Sequence, residues 1–431
     1  MVTVAAMTLL VKVVATGKDV AVANAFGTAS VMDAFLIAFL LPSYAITVVA
    51  GAVPAAFIPV YIKVRAREGA QAAGSLLSTV LLAGAAGLLG VTIILAGLGR
   101  QVLPLLGGGF DSATLQVTTA LFLLLLPGIL LQGVATIAAA ALNATDRYLL
   151  ASTVPVVTPL AITVALLSDV SRGILALVVG TLIGMLIEAT LLVGALHKRD
   201  LLGRPQVMNP HPALREVGAQ YLPAVVGSAV MSGASLIDMA MAGSLTAGSV
   251  SVLSFGSKLV MGVLGIGVLA LATPILPLFS RHVEAREWNA LGSTIRWFVT
   301  VVVSVVVPMT LILIWFSEDL VRLLFERGAF DAGDTRIVAR VQVMYLLQAP
   351  FYVLGVMGVR LLSALGRNAL VMWVSVLNLV SNALGNLLLM RVMGVAGIAL
   401  STSIVYFISC MVIFALVRSS LRRLQMAPVP L

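Results

Sequence analysis

The chain has 431 residues, 61% of them hydrophobic and 10% charged, with a formal net charge of +9. Soluble domains carry about 25% charged residues, so this composition excludes a water-soluble globular protein. Apolar runs of about twenty residues recur from end to end, which also excludes an anchored soluble domain and the short alternating segments of a membrane β-barrel.

Twelve membrane helices are predicted, near residues 3–25, 31–60, 73–98, 114–142, 149–168, 173–196, 217–243, 250–279, 292–316, 337–364, 369–390 and 395–417. The opening "MVTVAAMTLL" has no basic region and enters the first span directly, so no cleaved leader is expected. Trp297 and Trp315 bracket the ninth span as interfacial aromatics do. Turns after even-numbered spans, with the C-terminal tail, hold fifteen Lys or Arg residues; the opposite turns hold six, Arg172 among them. By the positive-inside rule both termini are cytoplasmic, and the basic excess marks cytoplasmic loops rather than a nucleic-acid surface. Cys410 lies alone in an apolar run, and His197, His211 and His282 fall in or beside polar loops, so neither a disulfide framework nor a metal cluster is expected.

The chain echoes itself. "FIPVYIKVRARE" at 57–68 resembles "ILPLFSRHVEARE" at 275–287, and "GGFDSAT" at 108–114 resembles "GAFDAGDT" at 328–335. The offsets, 218 for Pro59 to Pro277 and 220 for Phe110 to Phe330, nearly agree. An even number of spans restores the starting side, so two parallel six-helix repeats are expected: an N-lobe over 1–200, a cytoplasmic linker over 201–216 and a C-lobe over 217–431. The fold class is an all-α polytopic membrane protein with its repeats around a central cavity, which is a transporter plan.

Ionisable residues inside the spans are costly, at about 2.5–3.5 kcal/mol each on insertion scales, and are expected to line the cavity or to pair. They are Lys12, Lys18, Asp19, Asp33, Glu188, Asp238, Lys258 and Arg360. Asp19 beside Lys18 either neutralises it or forms a gate. Four cations, Lys12, Lys18, Lys258 and Arg360, suit an anionic substrate such as a phosphate or pyrophosphate. Glu188 either carries a coupling proton or accepts hydrogen bonds from neighbouring helices, the second being the plainer reading. Asp238, Asn378, Asn382 and Thr402 have the oxygens that a small hard cation wants, although asparagines at helix spacing also serve as interhelical glue. No nucleophile–base pair or phosphate loop is present, so a transporter rather than an enzyme is expected.

The stretch "KDVAVANAFGTASVMDAFLIAFLLPSYAITVVAGAVPAAFIPVY" resembles the signature region of the MviN/MurJ family, the lipid II flippases of the multidrug/oligosaccharidyl-lipid/polysaccharide exporter superfamily. Lys18-Asp19 stands where the family has Arg-Asp, and Lys12 where it has an earlier arginine. Phe26-Gly27, Asp33-Ala34-Phe35, Leu41-Pro42, Ala56-Phe57 and Pro59 match in order, and "LLFERGAFDAGDT" at 323–335 is a second hallmark. The resemblance covers essentially the whole chain, although the family commonly has fourteen spans. It implies a two-lobe fold with alternating access and a polyprenyl-pyrophosphate-linked saccharide as cargo. It further implies that the cavity cations bind the pyrophosphate, and that Asp33 belongs to that cavity. In some members a sodium ion sits at places matched by Asp238, Asn378, Asn382 and Thr402; coupling is therefore expected from Na+, H+ or the membrane potential.

One region departs from the family. Ser43 replaces Asn, Ile46 and Thr47 replace an arginine pair, and Gly51 replaces Glu. The joint loss of two cations and their carboxylate partner reads as a changed site, so the favoured expectation is a flippase for another undecaprenyl-pyrophosphate-linked glycan, such as an exopolysaccharide repeat unit. Lipid II flipping is the alternative; a cation-coupled drug exporter and a non-transporting scaffold for glycan assembly are further ones. The expected setting is the bacterial cytoplasmic membrane, with membrane lipids and the pathway's glycosyltransferases or polymerase as partners.

Overall fold

A computed structural model describes residues 2–168, 173–205, 211–272 and 275–426. Arg172 and part of the 201–216 linker lie outside the described residues. Every regular element among those described is helical. In order they are α1 (Val2–Phe26), α2 (Ser30–Ala45), α3 (Val53–Glu68), α4 (Ala70–Leu106), α5 (Ser112–Leu125), α6 (Pro127–Ala144), α7 (Tyr148–Thr153), α8 (Val157–Ser168), α9 (Ile174–His197) and α10 (Ala213–Ala242). There follow α11 (Ser249–Ala272), α12 (Ile275–Glu284), α13 (Trp288–Val301), α14 (Val307–Trp315), α15 (Ser317–Phe325), α16 (Ala332–Leu346), α17 (Ala349–Ala364), α18 (Asn368–Met393) and α19 (Val395–Met426).

Among the described residues, ten helical stretches are long and apolar enough to cross a bilayer. The other two predicted spans correspond to α1, which carries Lys12, Lys18 and Asp19, and to α11. Several spans are interrupted. The second contains a π-helical turn over Ile46–Ala50, in which Gly51 N–H reaches the Ile46 carbonyl. A 3-10 turn over Val154–Val156, holding Pro155, separates α7 from α8.

The repeat is visible in the backbone. Asp146 (φ +59°) and Gly366 (φ +70°) occupy equivalent turns. In those turns Arg147 N–H reaches the Leu142 carbonyl and Arg367 N–H the Leu362 carbonyl, both at 2.9 Å. Gly173 and Gly394 share φ near +54° and +59° with ψ of −134°. Such left-handed turns are what the Gly, Asp and Asn residues in these loops permit.

Two compact units form: residues 1–250 with 327–331, and residues 251–326 with 332–431. The sequence repeat and compactness are different partitions, because α10 packs on α3 within the first unit. Tyr221 donates to the Val49 carbonyl at 2.8 Å, Tyr44 to the Ala229 carbonyl at 3.0 Å, and Lys63 pairs with Glu216 at 2.9 Å. In the second unit α19 packs on α16, α17 and α18.

Small residues set the closest approach in the first unit. A Cβ at Gly184 would lie 2.6 Å from Thr158 Cα, and one at Gly180 would lie 2.8 Å from Ile162 Cα. The pair forms a small-xxx-small stripe that lets α9 meet the α8 backbone. Gly184→Val is expected to push these helices apart and to cost roughly 1–3 kcal/mol or more. A fall in the detergent-solubilised melting temperature checks it, with Gly194→Val, which faces open space, as the neutral control.

Candidate phosphate-binding and ion sites

The residues singled out by charge fall into two sets, one per unit. In the first unit α1 carries Lys12, Lys18 and Asp19 and packs on α7, the 3-10 turn and α8. Lys18 Nζ lies 2.6 Å from Asp19 Oδ1, with side-chain exposures of 25% and 16%. The pair lowers the cost of holding a cation at this depth without burying the ammonium, which keeps donors for an anion. Lys12 is half-buried, about one and two-thirds turns earlier on the same helix.

Asp33 does not border hydrated space. It is 0% exposed, and its Oδ2 accepts the Gly248 amide at 2.7 Å, immediately before α11 begins. The carboxylate that looked anomalous in lipid is thus a buried acceptor joining the start of α2 to a turn 215 residues away. The same end of the unit receives the hallmark loop at 327–331. Ala329 N–H reaches the Asn24 carbonyl at 2.9 Å, and Gly328, at φ +57°, lies so close to Asn24 that a side chain would collide. Asn24 was missed by charge reasoning, since it offers a backbone group. Asp238 is buried on α10 with 8% exposure.

In the second unit Lys258 is half-buried on α11, with Nζ 4.8 Å from the Phe255 ring centroid. That cation–π contact steadies the ammonium without adding an opposite charge. Arg360 is exposed, one turn before the end of α17. Arg340 on α16 is also exposed, and an arginine inside the predicted 337–364 window was the signal for it.

Within this unit the neutral residues of the ion-site expectation lie on α18 and α19, each with a partner inside the protein. Asn378 spends its amide donating to Ser409 Oγ at 3.1 Å, and Thr402 donates to the Ile398 carbonyl of its own helix at 3.2 Å. Asn382 is buried beside Asn386 and Ser401. The Asn378–Ser409 and Ser401–Asn382 contacts join α18 to α19 as interhelical glue. A hard cation wants a carboxylate among its ligands, and α18 and α19 supply none in their spans. Among the described residues no group of three His, Cys, Asp or Glu side chains stands together as a metal site.

The altered stretch of the second span coincides with its π turn. Ile46 and Thr47 open that turn, Thr47 donates back to the Ser43 carbonyl at 2.9 Å, and a Cβ at Gly51 would strike the Thr47 carbonyl. The extra residue in the turn rotates everything after it, and π turns concentrate at functional sites. Behind it lies an apolar cavity of about 290 Å³, lined by Val49, Val53, Gly84, Leu88, Val217 and Tyr221 among others.

A helical chain that crosses the bilayer many times, repeats itself in parallel and keeps cations inside its spans is a membrane transporter, not an enzyme. Solved structures share its fold. A lipid II flippase MurJ in an inward closed conformation matches with a TM-score of 0.83 at 22% identity, covering 97% of this chain and 88% of the other. An inward-facing multidrug resistance MATE family transporter of the MOP superfamily matches at 0.82 and 13%, covering 99% of both chains. The model of the lipid II flippase MurJ family matches residues 22–428, and the chain belongs to that family. A probable lipid II flippase MurJ of Synechocystis is 28% identical over 93% of this chain and 77% of its own length. One from Vibrio cholerae is 26% identical over 95% and 81%. The chain is thus a multi-pass flippase of the inner membrane.

Proposed function

We propose that the chain flips lipid II, the undecaprenyl-pyrophosphate-linked peptidoglycan precursor, by alternating access. The observation that carries this is the family match over residues 22–428 together with Lys12 and Lys18 on α1, whose only other charge is Asp19. It replaces the expectation of an exopolysaccharide repeat unit, since the named relatives are lipid II flippases. Phosphate oxygens are met by Lys12 and Lys18 in the first unit, and Lys258 and Arg360 are the cations the second unit contributes. Both termini face the cytoplasm in this reading. Either the membrane potential or an ion gradient drives the cycle.

Complementation tests it: expression in cells depleted of their own lipid II flippase is expected to restore growth. Failure at normal membrane abundance overturns the proposal. The changed residues Ser43, Ile46, Thr47 and Gly51 favour one second reading, a flippase for another polyprenyl-linked glycan. Restored surface glycan in an exporter-deficient strain, with no rescue of lipid II depletion, would establish that reading instead.

A further inference from the structure

Phosphate binding makes no use of Glu188. Its side chain is 4% exposed in the middle of α9, at the end of the stripe begun by Gly180 and Gly184. Spacing of four residues keeps all three on one helix face, so the close approach at Gly184 delivers the carboxylate to α8. Thr158 donates its hydroxyl to Oε2 at 2.8 Å, and Gln132 of α6 donates its amide to Oε1 at 3.2 Å. Among the described residues, the elements packed on α9 are α2, α5, α6, α8 and the 3-10 turn. Their titratable side chains are Asp33, engaged with Gly248, and Tyr44, engaged with Ala229; α9 itself adds His197 in its last turn. Neutral donors, not a cation, hold this carboxylate inside a bilayer-spanning segment.

Thr158 also behaves unlike most helical threonines; Thr335, which donates to Glu326 at 2.7 Å, is a second exception. Thr79, Thr92, Thr118, Thr136, Thr163 and Thr181 each donate to the carbonyl four residues back. The corresponding carbonyl for Thr158 is that of Val154, the first residue of the 3-10 turn that breaks the span. The Val154 carbonyl accepts the Val157 amide in the 3-10 turn and keeps a second lone pair for a hydroxyl.

We propose that Glu188 is a proton-binding site, and that the broken span reads its charge. With the carboxylate ionised, Thr158 donates to it across the 2.8 Å contact. When a proton binds Oε2, that oxygen becomes the donor. Thr158 Oγ1 then accepts, and its own hydrogen turns to the Val154 carbonyl, the arrangement of its fellow threonines. One proton enters, one hydrogen bond reverses, and one forms inside the break. Back-bonding of this kind bends helices, and α7, the 3-10 turn and α8 all pack on α1, which holds Lys12 and Lys18. Protonation therefore acts on the helix that carries the phosphate-binding cations. Only this last role rests on the transport reading.

The test needs no substrate. Full-length protein in liposomes is compared at acid and alkaline pH by infrared difference spectroscopy. A buried carboxylic-acid band is expected in the wild type, shifted in Glu188→Asp and lost in Glu188→Gln, which preserves both hydrogen bonds as a fixed mimic of the protonated acid. Spin labels attached at the thiols introduced by Thr16→Cys and Ser152→Cys, in a Cys410→Ser background, should report an α1–α7 distance that changes with pH and is locked by Glu188→Gln. A band that survives Glu188→Gln, no band at all, or a distance indifferent to pH overturns the proposal. None of these results bears on complementation, so the two readings fail separately.

Discussion

Replacing Lys12 and Lys18 together by alanine is expected to abolish rescue of a flippase-depleted strain while leaving membrane abundance unchanged. The two ammonium groups stay at a depth where each costs about 2.5–3.5 kcal/mol, which selection tolerates only if they act on something. A hydrogen bond to a charged partner contributes about 1.5–3 kcal/mol, so each lysine lost should weaken phosphate capture by roughly ten- to a hundredfold. Lys18 is the more sensitive position. Its ammonium is 2.6 Å from Asp19, so Lys18→Ala leaves a carboxylate facing the arriving phosphate, and repulsion adds to the lost attraction. Lys18→Ala with Asp19→Ala should accordingly recover part of the loss, and Lys18→Arg should retain most activity. Growth rescue and flipping of a fluorescent lipid II analogue in proteoliposomes check the order. A scaffold would tolerate all of these variants, so full rescue by the double alanine variant would remove phosphate capture from the account.

That α1 would carry charge was legible because lysine inside an apolar run has few interpretations. The spans were legible for a similar reason: the bilayer demands about twenty apolar residues, and no tertiary contact can override that. The repeat was legible in its motifs, 57–68 with 275–287 and 108–114 with 328–335, and the matching left-handed turns at Asp146 and Gly366, and at Gly173 and Gly394, agree with it. Breaks within spans were hidden. A π turn at Ile46–Ala50 needs only one extra backbone residue, which composition does not record. Partner choice was hidden too. Asn378 was read as an oxygen ligand or as interhelical glue; an amide must also place its hydrogens, and Ser409 on the neighbouring helix takes one. Glu188 was read correctly as a hydrogen-bond acceptor, but the identity of its donors depends on how closely glycine lets α9 approach α8. The proposed cargo is read from the family, since cations proposed to bind a pyrophosphate would not distinguish the sugar beyond it.

Asp33→Ala is expected to be strongly destabilising, and Asp33→Asn much less so. The side chain is fully buried, and its Oδ2 accepts the Gly248 amide at 2.7 Å. Gly248 sits at φ +90°, and a Cβ there would lie 2.8 Å from the Thr28 carbonyl, so the turn is pinned and its amide cannot swing toward water. Alanine strands a buried N–H donor and forfeits a charge-assisted bond, a loss of roughly 2–4 kcal/mol by the cost of an unsatisfied group. Asparagine still offers an oxygen and gives up mainly the charge, about half as much. Gly248→Ala attacks the same contact from the other side, through left-handed backbone and the Thr28 collision, at about 1–3 kcal/mol. Because both changes break one interaction, the Asp33→Ala, Gly248→Ala double variant should lose clearly less than the sum of the two, a coupling that a double-mutant cycle of melting temperatures measures. Were Asp33 instead a cavity group that contacts cargo, Asp33→Ala would lower flipping at an unchanged melting temperature, and Gly248→Ala would be independent of it. The sign of the coupling therefore decides whether this carboxylate serves the cargo or the closure of the first unit around the turn before α11.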